Sequence, residues 1–225
     1  VKWQLLIFQK NGLLLMIFGI TAFNVALLYF LKAGPGIDRL LVLLIYNDPA
    51  IIGFIFIGFT VISEKDQDVL SPLFATPLNF HHFLLSRIFV LSLLGTIGAL
   101  TVVVCAKGMS FHPLHFSVGA FSTCVLFSIA GVFLVGNTSE ILHFLLRGIP
   151  LLIILSLPLL NYYRLTDLGV FEVFPVQGGL SLMVNAFSTS PNSKAIIYGY
   201  LLVAGWIPVL YLASAKVFKK NVVKA

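Results

Sequence analysis

The sequence predicts an all-α polytopic membrane protein with six transmembrane helices, and three observations predict it. Apolar residues fill 59% of the 225 positions and charged residues only 10%, with a mean hydropathy of +1.05; an ordinary soluble domain does not have this balance. The apolar residues fall in runs close to the length, about 20 residues, that a helix needs to cross the hydrocarbon core. Short polar connections separate these runs, so six spans use up the chain and leave one transmembrane domain, residues 1–225.

The chain opens with Lys2-Trp3 and carries Lys10 ahead of the run Leu13 to Leu31. That run is too long for a signal-peptide core and lacks a cleavage site, so it is read as span 1. Trp3, Leu6, Ile7 and Phe8, bracketed by lysines, fit a segment lying on the membrane surface before the chain turns in. Lys32-Ala-Gly-Pro-Gly ends the span, because two glycines and a proline break a helix and expose backbone that water must satisfy. From Leu40 to Ile62 the sequence is apolar but interrupted by Asn47-Asp48-Pro49. Either Leu40 to Tyr46 dips into the outer leaflet and Pro49 starts a short span 2, or one kinked helix carries Asp48 beside a protein-lined cavity. The first reading is preferred here, since proline suits the first position of a helix.

A polar stretch, Glu64 to Arg87, then interrupts the apolar sequence, with four charges in its first five residues. Val69, Leu70, Leu73 and Phe74 fall at i, i+1, i+4 and i+5, a spacing that puts them on one face of a short helix. Asp66 and Asp68 precede it, where negative charge suits the N-terminal end of the macrodipole, and Pro77 closes it. Pro72 fits the first turn if Ser71 is the cap.

The residues Glu64-Lys65-Asp66-Gln67, Leu70, Thr76-Pro77-Leu78 and Leu84-Leu85-Ser86-Arg87 resemble the coupling region of type-2 ABC transporter permeases. Preceded by Asn47-Asp48-Pro49 and Gly53, the stretch is most similar to the drug-exporter branch associated with fluoroquinolone export. Asp68 stands where that family usually has Gly, and Pro72 where it often has Glu. The resemblance implies a cytoplasmic coupling helix between spans 2 and 3, with Glu64, Lys65, Asp66, Val69, Leu70, Leu73, Phe74, Thr76 and Pro77 as the ATPase-coupling residues. Leu73 and Phe74 would be its apolar plug, and Glu64, Lys65 and Asp66 would orient it by charge.

Span 3 is expected from about Phe83 to Val104, with Asn79 available as N-cap and Ser92, Gly95, Thr96 and Ala99 forming a small-residue stripe that permits close packing. A turn from Ala106 to His115 leads to span 4, about Phe116 to Val135. Asn137 and Glu140 have the spacing of a capping box ahead of span 5, roughly Ile141 to Tyr162, with Arg147 near its start and Pro158 as a kink point. Residues 164–194 are apolar but interrupted by Pro175, Gly178 and Gly179, too short to span, and read as a pair of short re-entrant or surface-lying helices. Permeases of the family resembled carry a re-entrant hairpin there, between spans 5 and 6. Span 6 runs from about Ala195 to Ser214, and Lys216, Lys219, Lys220 and Lys224 close the chain.

Charge orients the map. With both termini cytoplasmic, nine of the 14 basic residues lie inside, namely Lys2, Lys10, Lys65, Arg87, Arg147, Lys216, Lys219, Lys220 and Lys224. Lys32, Arg39, Lys107, Arg164 and Lys194 lie outside, in keeping with the positive-inside rule for the cell membrane.

No enzyme constellation emerges. There is no GxxxxGK[ST] phosphate loop, so ATP hydrolysis would have to come from a partner. His112 and His115 have a ligand spacing, but Pro113 between them and the lack of a nearby carboxylate or cysteine favour a surface loop over a metal site. His81-His82 reads as an interfacial anchor rather than a haem or metal ligand pair. His143, one turn from Glu140, reads as a helix-surface partner. Asn24, Asn161, Gln177 and Asn185 are polar groups near membrane depth that interhelical hydrogen bonds explain as well as a substrate path. Cys105 and Cys124 imply no disulfide framework. No cofactor, metal or nucleic acid is implied.

The resemblance implies the membrane-spanning permease subunit of an ATP-driven ABC exporter moving a hydrophobic or amphipathic drug or lipid. Its partners would be a cytoplasmic ATP-binding subunit, a second permease subunit in a homodimer or heterodimer, and the bilayer. A haem-exporter-like permease of cytochrome c maturation shares the length and span count. A non-transporting membrane scaffold that recruits an ATPase is the alternative from another class.

Overall fold

The computed structural model describes Phe8 and residues 12–31, 37–67, 80–138, 140–166, 168–188 and 192–223. Its helices are α1 (Leu13–Leu31), α2 (Ile37–Asp66), α3 (Phe80–Lys107), α4 (Pro113–Val135), α5 (Ile141–Ser156), α6 (Pro158–Tyr162), α7 (Gln177–Ala186) and α8 (Ser193–Phe218). A 3₁₀ turn, Gly169–Val173, precedes α7, and a π turn, Lys219–Val223, extends α8. Among the described residues, six stretches are long and apolar enough to cross a membrane: α1, α2, α3, α4, α5 together with α6, and α8. The protein is all-helical and multi-pass. Lipid supplies no hydrogen bonds, so each spanning segment must satisfy its backbone internally, as a helix does.

α2 and α4 form the centre, with 72% of each span buried; of α1, α5–α6 and α8 only 28%, 22% and 11% is buried. Small residues let the central pair approach. A Cβ on Gly131 would collide with Ile57 and the Phe54 carbonyl. On α3, Ser92, Gly95, Thr96 and Ala99 are buried, and a Cβ on Gly95 would lie 3.0 Å from the sulfur of Cys124, as the stripe predicts. α5 meets α2 through reciprocal pockets: Phe144 fills the space over Gly58, Phe54 fills the space over Gly148, and the two rings stack 5.1 Å apart. α7 is held between α4 and α8 by two glycine contacts, Gly179 on Gly119 and Gly178 on Gly199. Some hydroxyls at membrane depth bond back to their own helices, as Thr60 does to the Phe56 carbonyl and Thr96 to that of Ser92.

The structure corrects the preferred reading of span 2. Pro49 does not start a helix; it sits inside the 30-residue α2. A mid-helix proline removes one backbone bond, but packing of the buried side of this turn against the core holds it. Tyr46 and Ala50 are buried, and the Tyr46 hydroxyl donates to the Leu155 carbonyl of α5 (3.3 Å). The capping box fails as well. Glu140 caps α5 without a side-chain bond, its carboxylate instead meeting His143 at 3.0 Å on the helix surface, while the Asn137 amide donates back to Phe133 (3.4 Å). Pro158 does break span 5, ending α5 at Ser156 and opening α6. Pro150 and Pro208 lie within α5 and α8.

Of the four polar groups near membrane depth, Asn24 makes an interhelical bond, to Asp48. Asn161 instead ties down its own loop through Thr166 and Leu168, and Asn185 donates back to Ser181. Of the surface segment expected near the N-terminus, only Phe8 is described, and it is buried.

Candidate functional site

The polar stretch is bounded by the end of α2 and the start of α3. α2 runs on through Glu64, Lys65 and Asp66, so these three charges belong to the last turn of the span rather than to a following loop. The Glu64 carboxylate pairs with Arg87, about two turns into α3. Arg87 is completely buried, and its guanidinium lies 4.5 Å from the centre of the Phe83 ring. An arginine can stack on an aromatic face and pair with a carboxylate at once, and these two contacts offset part of the cost of burying this cation, whose Nε and Nη1 are buried without a hydrogen-bond partner.

Lys65 turns the other way. Its ammonium donates to the carbonyls of Val135 (2.8 Å) and Thr138 (3.0 Å), where α4 ends. The Val135 carbonyl, at the negative end of the α4 dipole, also accepts from the Thr138 N–H (3.3 Å), so the lysine adds a second donor there, gives the Thr138 carbonyl one, and meets favourable charge. The α4–α5 connection is drawn into the same cluster. Arg147 of α5 donates to the Asn137 carbonyl (3.1 Å), and Asn221, beyond α8, donates to the Asn137 side chain (2.8 Å). Phe80, the first residue of α3, stacks on Phe218, the last of α8. The ends of α2, α3, α4, α5 and α8 thus meet around the two borders of the polar stretch.

Of the sequence-predicted coupling residues, Glu64 and Lys65 stand in this cluster, and Asp66 is exposed beside it. Val69, Leu70, Leu73, Phe74, Thr76 and Pro77 lie outside the described residues, as do Ser71, Pro72 and Asn79. Sequence reasoning missed the pairing of Arg87 with Glu64. Its signal was there: opposite charges at the facing ends of two consecutive spans. Nothing in the sequence marks Val135 and Thr138 as partners of Lys65, because a backbone acceptor has no residue signature.

The other candidates stay apart from the cluster. His115 bonds the Tyr200 hydroxyl (2.8 Å) and His81 that of Tyr211 (3.0 Å). Among the described residues no group of three His, Cys, Asp or Glu is placed to hold a metal. On the flank of the bundle, α1 and α3 enclose an apolar groove of about 530 Å³, walled by Phe18, Tyr29, Phe30, Leu94 and Ile97. The hydroxyls along it, Thr21 and Thr101, donate to their own helices.

Comparison with known proteins gives a consistent result. The model of the fluoroquinolones export permease protein family matches residues 23–225. The fluoroquinolones export permease proteins of two Mycobacterium tuberculosis strains, CDC 1551 / Oshkosh and ATCC 25618 / H37Rv, are each 31% identical to the chain, over 79% of it and 76% of their own length. No solved structure matches.

Proposed function

The chain belongs to the fluoroquinolones export permease family, and from that premise we propose that it is the membrane subunit of an ATP-driven ABC exporter. It is a permease of a drug-export family. The proposal adds the energy source: a separate cytoplasmic ATP-binding subunit that docks on residues 64–77 and drives a second permease copy or paralogue together with this one. Both termini would face the cytoplasm of a cell membrane, and α7 would form part of a re-entrant hairpin on the opposite side.

The observation that carries this reading is the double anchorage of the α2 terminus. Glu64 and Lys65, adjacent in sequence, tie the border of the polar stretch to α3 and to α4. A push or pull on that stretch would be delivered to three helices together rather than absorbed by a loop. Transport then needs an ATP-bound partner that interacts differently with the two arrangements of the bundle. The substrate is proposed as hydrophobic or amphipathic, a class that suits the apolar groove between α1 and α3, whose size is that of a site for a drug-sized molecule. Family membership supports this over a haem-exporter-like role.

Phe74→Asp tests the docking. Burying a Phe side chain in a partner is worth about 1.5–3 kcal/mol, and an unpaired carboxylate in its place costs several more. The variant should insert normally yet lose ATPase association and substrate-stimulated hydrolysis. Phe121→Leu, on α4 with its ring against Phe89, should keep both. Full association by Phe74→Asp would remove this segment as the coupling element.

A further inference from the structure

We propose that the cleft between α5 and α8 is a binding site for one anionic phospholipid, with an acyl chain laid in the cleft and the phosphate held at its Arg147 end. The two helices flank an apolar cavity of about 250 Å³. Leu126 and Phe133 of α4 form its floor, Leu151 and Leu155 of α5 one wall, and Leu210 and Ala213 of α8 the other. Pro175 closes one end. There the Trp206 indole N–H donates to the Val173 carbonyl (3.0 Å) and fastens the 3₁₀ turn to α8.

The other end is polar and basic. Asn137, four residues past Phe133 on the floor, accepts from Arg147 of α5 at its carbonyl (3.1 Å) and from Asn221 at its side chain (2.8 Å). Arg147 stands one turn before Leu151 on the same face of α5. Its side chain is exposed, and Asn137 takes a bond from one of the five N–H groups of the guanidinium. On α8, Tyr211 and Phe218 turn towards α3, where they meet His81 and Phe80. Lys216 and Lys220 follow Ala213 by three and seven residues, a spacing that puts them on the cavity side of α8, and both are exposed. Glu140, about two turns from Arg147, is engaged by His143 (3.0 Å). Both walls of the cleft therefore carry positive charge at the same mouth.

An acidic head on an apolar chain matches both halves of this site. Guanidinium and ammonium groups give a phosphate charge-assisted hydrogen bonds, and basic pockets between spanning helices hold anionic head groups. A helix of a second copy is too wide. At about 10 Å across and 5.4 Å per turn, a single turn fills about 400 Å³, more than the cavity holds. A bound lipid would bridge α5 to α8, which meet at this mouth through Asn137. The site is separate from the groove between α1 and α3 and does not rest on the export reading.

Native mass spectrometry of the full chain, released from nanodiscs of phosphatidylglycerol and phosphatidylcholine in equal amounts, tests this. One phosphatidylglycerol per chain should stay bound in preference to phosphatidylcholine. Lys216→Gln combined with Lys220→Gln should weaken its retention by about fivefold per residue. Lys194→Gln, at the far end of α8, should leave retention unchanged. Ala213→Trp fills the cavity and should expel the lipid. Equal retention of the two lipids, or unchanged retention in the lysine pair, would overturn the proposal. So would an Ala213→Trp variant that keeps its lipid but loses self-association, the mark of a second copy in the cleft. Should Ala213→Trp fail to insert, the exposed lysine pair decides by itself. No readout uses transport or an ATPase, so failure here leaves the export reading standing, and the converse holds.

Discussion

A Cβ added to Gly53 of α2 would lie 2.5 Å from the carbonyl oxygen of Cys124 on α4. The two most buried helices therefore touch backbone to side-chain-free backbone at this point, and no rotamer change can relieve an extra methyl group. Gly53→Ala must push the helices apart. Overpacking a close contact costs about 1–3 kcal/mol, so the variant should melt earlier in detergent. Gly205→Ala on α8 is the comparison: nothing lies within 4 Å of its Cβ position, and removing a helix-interior glycine should be neutral or stabilising by up to about 1 kcal/mol. Equal melting of the two variants would contradict the packing described here.

The Glu64–Arg87 pair is asymmetric, with side-chain exposures of 17% for the acid and 0% for the base. Glu64→Leu strands a fully buried guanidinium, a loss of the kind that costs about 3–5 kcal/mol. Arg87→Leu leaves a carboxylate whose Oε2 is buried without a hydrogen-bond partner, but on a side chain that is 17% exposed rather than 0%, and should cost less. The double variant, with both charges gone, should recover part of the loss. Thermal or denaturant unfolding of the four proteins checks the order, and an Arg87→Leu loss as large as that of Glu64→Leu would show that Glu64 depends on Arg87 more than its exposure implies.

The proposed orientation can be read by labelling. Gln67 follows the last residue of α2, and Met109 lies beyond the last residue of α3; both are exposed. They are better reporters than Lys65, which is committed to Val135 and Thr138. With Cys105 and Cys124 replaced, an impermeant thiol reagent on intact cells should modify Met109→Cys and spare Gln67→Cys. The opposite pattern would invert the topology.

The isolated polypeptide should neither bind nor hydrolyse ATP, since it carries no GxxxxGK[ST] loop to cradle the phosphates. Hydrolysis should appear with a partner ATPase and respond to substrate. Turnover by the purified chain, free of contaminating ATPase, would contradict the division of labour proposed above.

The sequence by itself determined the class, the number of spans and most of their limits. Leu13 to Leu31 was legible to the residue, because a run of apolar side chains closed by Gly and Pro has one stable outcome in lipid. Chain order and charge also pointed to the polar stretch and to Glu64, Lys65 and Asp66. Tertiary structure alone decided what depends on neighbours. Pro49 reads as a helix start when only its own backbone is considered; packed against α5 and the rest of the core, the same turn continues as helix. Asn137 and Glu140 had the spacing of a capping box, yet His143 and Asn221 took their side chains. The partners of Lys65 are backbone oxygens some 70 residues away, and a carbonyl reveals nothing in the sequence about what will approach it. Local propensity and hydropathy are carried by the residues themselves, whereas the competition among hydrogen-bond partners is settled only when the helices come together.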